Sequence, residues 1–342
     1  MSTDAKQDLR PGLHPRRLAL LMREAVERCA LDLSGRVVLT EAASGAYVVT
    51  PVLAAMAGAR RVYAVTRSTA YGTAEEIAAQ TLELADLVGV AERIEITTRK
   101  SREHVAEADI VTNSGHVRPI DAQTIAWMKP GAVVPLMYEA WEYRAADVDL
   151  DACRRRGILV AGTNEQHPSV GVFPYLGIMA VKLLLDAGVA VQDSKVLVLC
   201  DNPFGPYIDD GLRGAGASVD LVADAVRAGE GPYDALVVAM RPGARPVVGG
   251  ADAVVAAAEV ARRWPGTVVA QFWGDVDRDA LAAEQVPCWP VPPVPRGHMG
   301  ILPSAVGPEP IVRLQCGSLK VGEILARRTG ATDPYQDVVQ LI

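Results

Sequence analysis

Cysteine is scarce and scattered. The five cysteines (Cys29, Cys153, Cys200, Cys288, Cys316) lie far apart with no C-x-x-C pair. That excludes a disulfide framework and a zinc ribbon, and fits reduced, cytosolic usage. Histidine is also sparse, five in all, with no H-x-x-x-H spacing, so no metal is expected. Aromatics make up only 5%, and Trp141 and Trp273 read as packing residues rather than stacking platforms. Long apolar runs are missing: stretches such as 46–59 contain Pro or Gly and are too short to span a bilayer. The polar start MSTDAKQDLR offers no signal peptide. Positive charge is in deficit, with 34 Lys and Arg against 41 Asp and Glu and a net charge of −7. A nucleic-acid partner is therefore not expected. Arg154-Arg155-Arg156, the only basic run, reads as a solvated helix end. The expectation is a soluble cytoplasmic α/β protein with a small-molecule partner and no membrane.

What is present centres on 37–68, VVLTEAASGAYVVTPVLAAMAGARRVYAVTRS. A buried strand, a small-residue turn, an Ala-rich helix ending at Gly58 and a second strand closing on Arg67-Ser68 form a nucleotide-binding βαβ opening. The helix N-terminus after Gly45 would direct N–H groups at an anion, so Ser44, Gly45 and Ala46 are candidate cofactor contacts. The spacing resembles the T-G-A-A-S-G-I-G turn of short-chain dehydrogenases. Glu41 stands where the first glycine belongs and Tyr47 where the last belongs; only Gly45 survives. A carboxylate at Glu41 repels a pyrophosphate unless something neutralises it.

A polar arm and a helix over 14–30 precede this block. After it, alternating β and α signals continue through strands at 93–97, 108–113, 132–137 and 158–161, which predicts one parallel sheet of about six strands. An apolar helix, 170–185, leads into a fresh series from Lys195 to the helix at 317–328, followed by a loose tail. Gly45-Ala46-Tyr47 and Gly205-Pro206-Tyr207 each follow a buried strand, and each precedes a Gly-Ala pair (Gly58-Ala59, Gly216-Ala217) at nearly constant offset. At 342 residues, the pattern predicts two tandem Rossmann-like domains with parallel sheets linked by crossover helices. The first domain spans 1–186; the second, smaller one spans 187–342 and includes the C-terminal helix. Chance similarity between Ala/Gly-rich βα units is the alternative.

The stretch ADIVTNSGHVRPIDAQTIAWMKPGAVVPLM resembles the cofactor-domain segment of D-2-hydroxyacid dehydrogenases and S-adenosylhomocysteine hydrolases. There a strand ends near the nicotinamide and M-K-P-G introduces the next strand. The following DLDACRRRGILVAGTN and apolar helix resemble the region where dehydrogenase chains cross between domains. The resemblance covers roughly 36–190 and implies a two-domain fold with a cleft. It does not carry the reaction over. Where the dehydrogenases place Ala-Arg-Gly to grip a substrate carboxylate, this chain has Met137-Tyr138-Glu139, and their catalytic histidine has no secure match.

Ligands of open α/β sheets bind at the carboxyl ends of strands, and polar residues there are the candidates. Arg67 and Ser68 close the second strand where NAD enzymes carry an acid for the ribose diol; a cation and a hydroxyl suit a 2′-phosphate, so NADP is preferred to NAD. Asn113 is a further cofactor contact. His116 is a candidate acid/base with Glu139 to orient it, and His167, before the apolar helix, is a second. Tyr47, Asn202, Tyr207, Arg241, Arg296 and His298 are candidate substrate contacts, the last two in an irregular Pro-rich stretch of the kind that carries function.

Two enzyme readings follow. The first is an NAD(P)-dependent oxidoreductase acting on a small polar substrate in the interdomain cleft, with His116 or His167 moving the proton. The second is a lyase, isomerase or transferase on a repurposed scaffold, with Glu41 near the chemistry and no cofactor. A non-catalytic nucleotide-binding or scaffold protein is the third reading. A homodimer is expected, because the apolar N-terminal helix otherwise lacks a place.

Overall fold

Val37 to Glu41 are all buried, as in a parallel strand covered on both faces. In the computed structural model, which describes residues 10–327 and 333–342, this strand (β1, Val37–Glu41) is central to a seven-stranded sheet. Around it lie β2 (Arg61–Val65), β3 (Ile94–Thr97), β4 (Ile110–Val111), β5 (Val133–Pro135) and β6 (Leu159–Thr163). The order is β3-β2-β1-β4-β5-β6, all parallel, with the last strand of the chain, Val339–Leu341, added antiparallel at the β6 edge. This is the doubly wound order whose reversal between β1 and β4 opens a crevice at the strand ends.

Strand alternation sorts the side chains into two cores. Val38, Val62, Ala64 and Val133 meet α1 (Pro15–Arg28), α2 (Val49–Met56) and α3 (Ala74–Leu87) on one face. Val37, Leu39, Tyr63, Val65 and Val134 meet α4 (Arg102–Glu107), α5 (Ala122–Trp127) and α6 (Leu150–Arg156) on the other. Side-chain caps start the helices: Thr73 and Glu76 form a reciprocal capping box at α3, and Ser101, Asp121 and Asp149 cap α4, α5 and α6.

The domain division differs from the expected 1–186 and 187–342. The first unit is Met1–Val172 with Gly307–Ile342, and the second is Phe173–Val306. The C-terminal helix, Glu309–Arg327, belongs to the first unit. Ile311, Val312, Cys316 and Leu319 enter its core, and Gln315 and Ser318 accept or exchange hydrogen bonds with Thr50 and Thr163. This helix covers the face of β5 and β6 after the chain has left the sheet at Val172. It can lie that close only because Gly317 and Gly322 lack a Cβ, which would come within 2.7 Å of Val170 and 2.8 Å of Ile110. The tail expected to be loose supplies the antiparallel edge strand. The N-terminal helix has a place as well: Leu18, Met22 and Ala25 are buried in the same core, which removes the ground on which a dimer was expected.

The second unit holds a five-stranded parallel sheet. Its strands are β7 (Lys195–Leu199), β8 (Ser218–Val222), β9 (Ala235–Ala239), β12 (Val268–Trp273) and β13 (Cys288–Trp289), in the order β13-β12-β9-β7-β8; a two-residue pair, β10 (Val248–Gly249) and β11 (Val255–Ala256), stands apart. Its helices are α7 (Pro174–Asp186), α8 (Gly205–Gly214), α9 (Ala257–Arg263) and α10 (Arg278–Ala283). This is the order of the first unit's parallel strands without its outermost β3. The chain is α/β with two parallel, doubly wound sheets.

Candidate functional site

β1 ends at Glu41, and the turn after it reaches Gly45, which adopts φ +63° with open space where a Cβ would stand. A short helical turn, Gly45–Val48, runs into α2, and the Ser44 side chain makes no capping hydrogen bond to it. The loop after β4 lies across the crevice. Its His116 N–H donates to Glu41 Oε2 at 2.9 Å, and the Gly115 N–H also serves the carboxylate. A Cβ on Gly115 would stand 3.1 Å from that oxygen, so glycine there lets the carboxylate approach. Burial pushes the Glu41 carboxyl above its ordinary range, opposed by these amides and by the Arg118 and Arg67 charges.

Arg67 is exposed and donates from Nη2 to the His116 carbonyl at 2.8 Å. Ser68 Oγ accepts the Ala74 N–H at 3.0 Å, leaving its O–H to donate. Burial and the nearby Arg67 charge hold the His116 ring below its ordinary pKa, which favours the neutral imidazole. Asn113 Oδ1 accepts from the Met137 N–H at 2.7 Å, while its Nδ2 is buried with no partner among the described residues, as is Thr66 Oγ1 at the end of β2.

Glu139 does not orient His116. Its carboxylate accepts the Trp141 indole N–H and the Glu165 N–H, the latter at 3.0 Å. It ties the loops after β5 and β6 together, and burial pushes it up. Glu165 is driven well above the carboxylate range by burial beside Glu142 and Glu139. His167 orders its own turn, with Nδ1 2.8 Å from Ser169 Oγ. Tyr47 packs against the first core.

The second unit holds the other candidates. Asn202 ties its turn to the end of β9, donating to the Ala239 carbonyl at 2.7 Å and accepting from the Phe204 N–H at 3.1 Å. The Arg241 N–H donates to Asp201 at 2.9 Å. Tyr207 meets Phe173 edge-on, and Phe204 lies against Trp273. Arg296, read as an anion contact, donates to the Gly243 and Ala244 carbonyls and pairs with Asp275; it ties its loop to those after β9 and β12. The His298 N–H donates to the Pro295 carbonyl in that loop.

Of the predicted site residues, the structure gathers Glu41, Arg67 and His116 at the first unit's switch point, beside the Gly45 turn. Two neighbours carry no motif in the sequence. Lys100 donates to the Val117 and Pro119 carbonyls at 3.0 and 2.5 Å. Arg118 pairs with Asp147 at 2.9 Å, which also accepts the Tyr138 hydroxyl at 2.9 Å. Among the described residues no group of acids, histidines and cysteines could hold a metal ion, and no helix is long and apolar enough to cross a membrane.

No family model and no curated protein matches the chain. Among solved structures it is similar to a dipicolinate synthase from Bacillus halodurans (11% identity over 87% of this chain and 99% of that one, TM-score 0.49). It is also similar to a Granulicella formate dehydrogenase (14%, 89% and 97%, TM-score 0.46) and to a putative D-3-phosphoglycerate dehydrogenase from Ralstonia solanacearum (11%, 87% and 96%, TM-score 0.45). These likenesses are distant.

Proposed function

We propose that the chain is an NADP-dependent oxidoreductase acting on a small polar substrate at the carboxyl edge of the first sheet. The observation that carries this reading is the exposed Arg67 at the end of β2, beside the crevice headed by the left-handed Gly45. The residues fit a dinucleotide. Gly45 leaves open space where a side chain would stand, and the short helical turn it opens has no side-chain cap. Glu41, the residue that argues against a pyrophosphate, is engaged by the Gly115 and His116 amides and pushed towards its neutral form by burial, so its repulsion is muted.

Gly45 and Ala46 would take the pyrophosphate, Arg67 and Ser68 the 2′-phosphate, and the unpartnered Asn113 amide an acceptor group of the cofactor. The bound nicotinamide supplies hydride transfer. His116, neutral and half-buried, is the group placed to move the substrate proton, because it shares this crevice with Gly45 and Arg67, whereas His167 is engaged in its own turn. A non-redox reaction is the second reading, and the buried, raised Glu41 carboxyl favours it as a proton donor.

Titration of the pure protein with NADPH and NADH, followed by nicotinamide fluorescence, separates the two. Tight binding of NADPH over NADH supports the redox reading. Binding of neither removes the dinucleotide and leaves Glu41 as the acid of a non-redox site.

A further inference from the structure

We propose that Lys100 is the second cation of the nucleotide site and, with Arg67, sets its demand for a 2′-phosphate. This rests on the dinucleotide reading and names a residue that reading does not use.

Register brings Lys100 to the right edge. Val65 and Thr97 are partners across β2 and β3, so the segment after Thr97 continues beside Arg67 and Ser68. There Lys100 is anchored by the loop that anchors Arg67. Arg67 holds the carbonyl of His116, while Lys100 holds those of Val117 and Pro119. Two cations thus sit on neighbouring carbonyls of one short loop; burial lowers the Lys100 ammonium, Asp121 opposes that, and the Arg67 charge adds to it.

Among the described residues no carboxylate comes within ion-pair distance of either. The Asp121 carboxylate, which caps α5 through the Thr124 N–H and hydroxyl at 2.8 and 2.7 Å, supports the Lys100 charge from beyond ion-pair distance, and Glu41 does the same for Arg67.

Donors remain for a ligand. The ammonium has three N–H groups and two are used; the guanidinium has five and one is bonded in the structure. The Ser68 hydroxyl has a free O–H, and the buried Thr66 hydroxyl at the same strand end lacks a partner among the described residues. The two cations repel each other, and a dianion between them relieves that repulsion with charge-assisted hydrogen bonds. A ribose diol offers no charge, so it gains nothing from the second cation; a 2′-phosphate gains from both.

The test is calorimetric titration with 2′,5′-ADP and with 5′-AMP, on the wild type and on Lys100→Met, which keeps the apolar stem. Lys100→Arg serves as a second variant that keeps the charge, and thermal unfolding checks that each is folded. The wild type should prefer 2′,5′-ADP. Lys100→Met should cut that preference by about tenfold or more with 5′-AMP affinity unchanged, and Lys100→Arg should retain most of it. An unchanged preference in a folded Lys100→Met protein overturns the assignment. So does a wild type that binds both nucleotides equally, while leaving dinucleotide binding in place. A wild type that binds neither overturns the dinucleotide reading and Lys100 with it.

Discussion

The Glu41 carboxylate accepts the backbone N–H of His116 at 2.9 Å, tying the end of β1 to the loop after β4. A residue that breaks the glycine pattern of the turn therefore has a structural task across the crevice. The buried carboxyl is held above its ordinary value near 4.5. A raised carboxyl favours folding while protonated: its contribution is fully present below about pH 4.5 and is lost as pH rises through the raised value. Glu41→Gln keeps an acceptor for the amide without the charge. Relative to wild type, its Tm should improve as pH rises from about 4.5 through the raised value of the Glu41 carboxyl. Thermal melts of both proteins across that range check it, and a constant difference would show that Glu41 does not titrate in the fold.

His116→Gln probes the proton-transfer role. The backbone N–H that Glu41 accepts survives this change, so the loop should stay in place. Once a turnover assay is found, kcat should fall by about 10² to 10⁴ with NADPH affinity unchanged. Equal turnover in the variant would move the proton to another group.

Arg67→Ala tests the cofactor preference. The guanidinium is exposed and, among the described residues, its only hydrogen bond is to a carbonyl, so the fold should survive its loss. NADPH affinity should drop by about tenfold or more while NADH affinity barely changes. Parallel fluorescence titrations read both, and equal losses for the two cofactors would place Arg67 on a group they share.

The βαβ block from Val37 to Arg67 is legible in the sequence because its signals are local: a continuous buried run, a glycine turn and a helix closed by Gly58. The host of the C-terminal helix is not. The sequence reading begins this helix at 317, and the structure extends it back to Glu309; two sheets are available to it, and only Gly317 and Gly322 hint at an unusually close partner. Helix α4 escapes a periodicity argument because six residues are too few to show a period, although Ser101 is a cap in plain sight. Strand adjacency alone pairs Glu139 with His116. Adjacency does not say which way a carboxylate turns, and this one turns to the loop carrying Glu165. Lys100 lies in a connection without a motif, since bonds to distant carbonyls leave no pattern in a sequence.

Close approach of helices makes the last prediction. In the second unit α7 crosses α8 at Gly177 and Gly211. A Cβ on Gly177 would stand 2.6 Å from the Tyr207 carbonyl oxygen and 2.8 Å from the Gly211 Cα. In an open helix, Gly→Ala stabilises by about 1 kcal/mol through propensity. Here the obstruction is backbone on the opposing helix, which no side-chain rotation relieves, so overpacking of about 1–3 kcal/mol or more should outweigh that gain. Gly177→Ala should therefore lower stability by urea unfolding. The control is Gly214→Ala, near the exposed end of α8, where a Cβ meets nothing within 4 Å, and it should be neutral or stabilising. If both variants shift alike, the tight crossing of α7 and α8 is wrong.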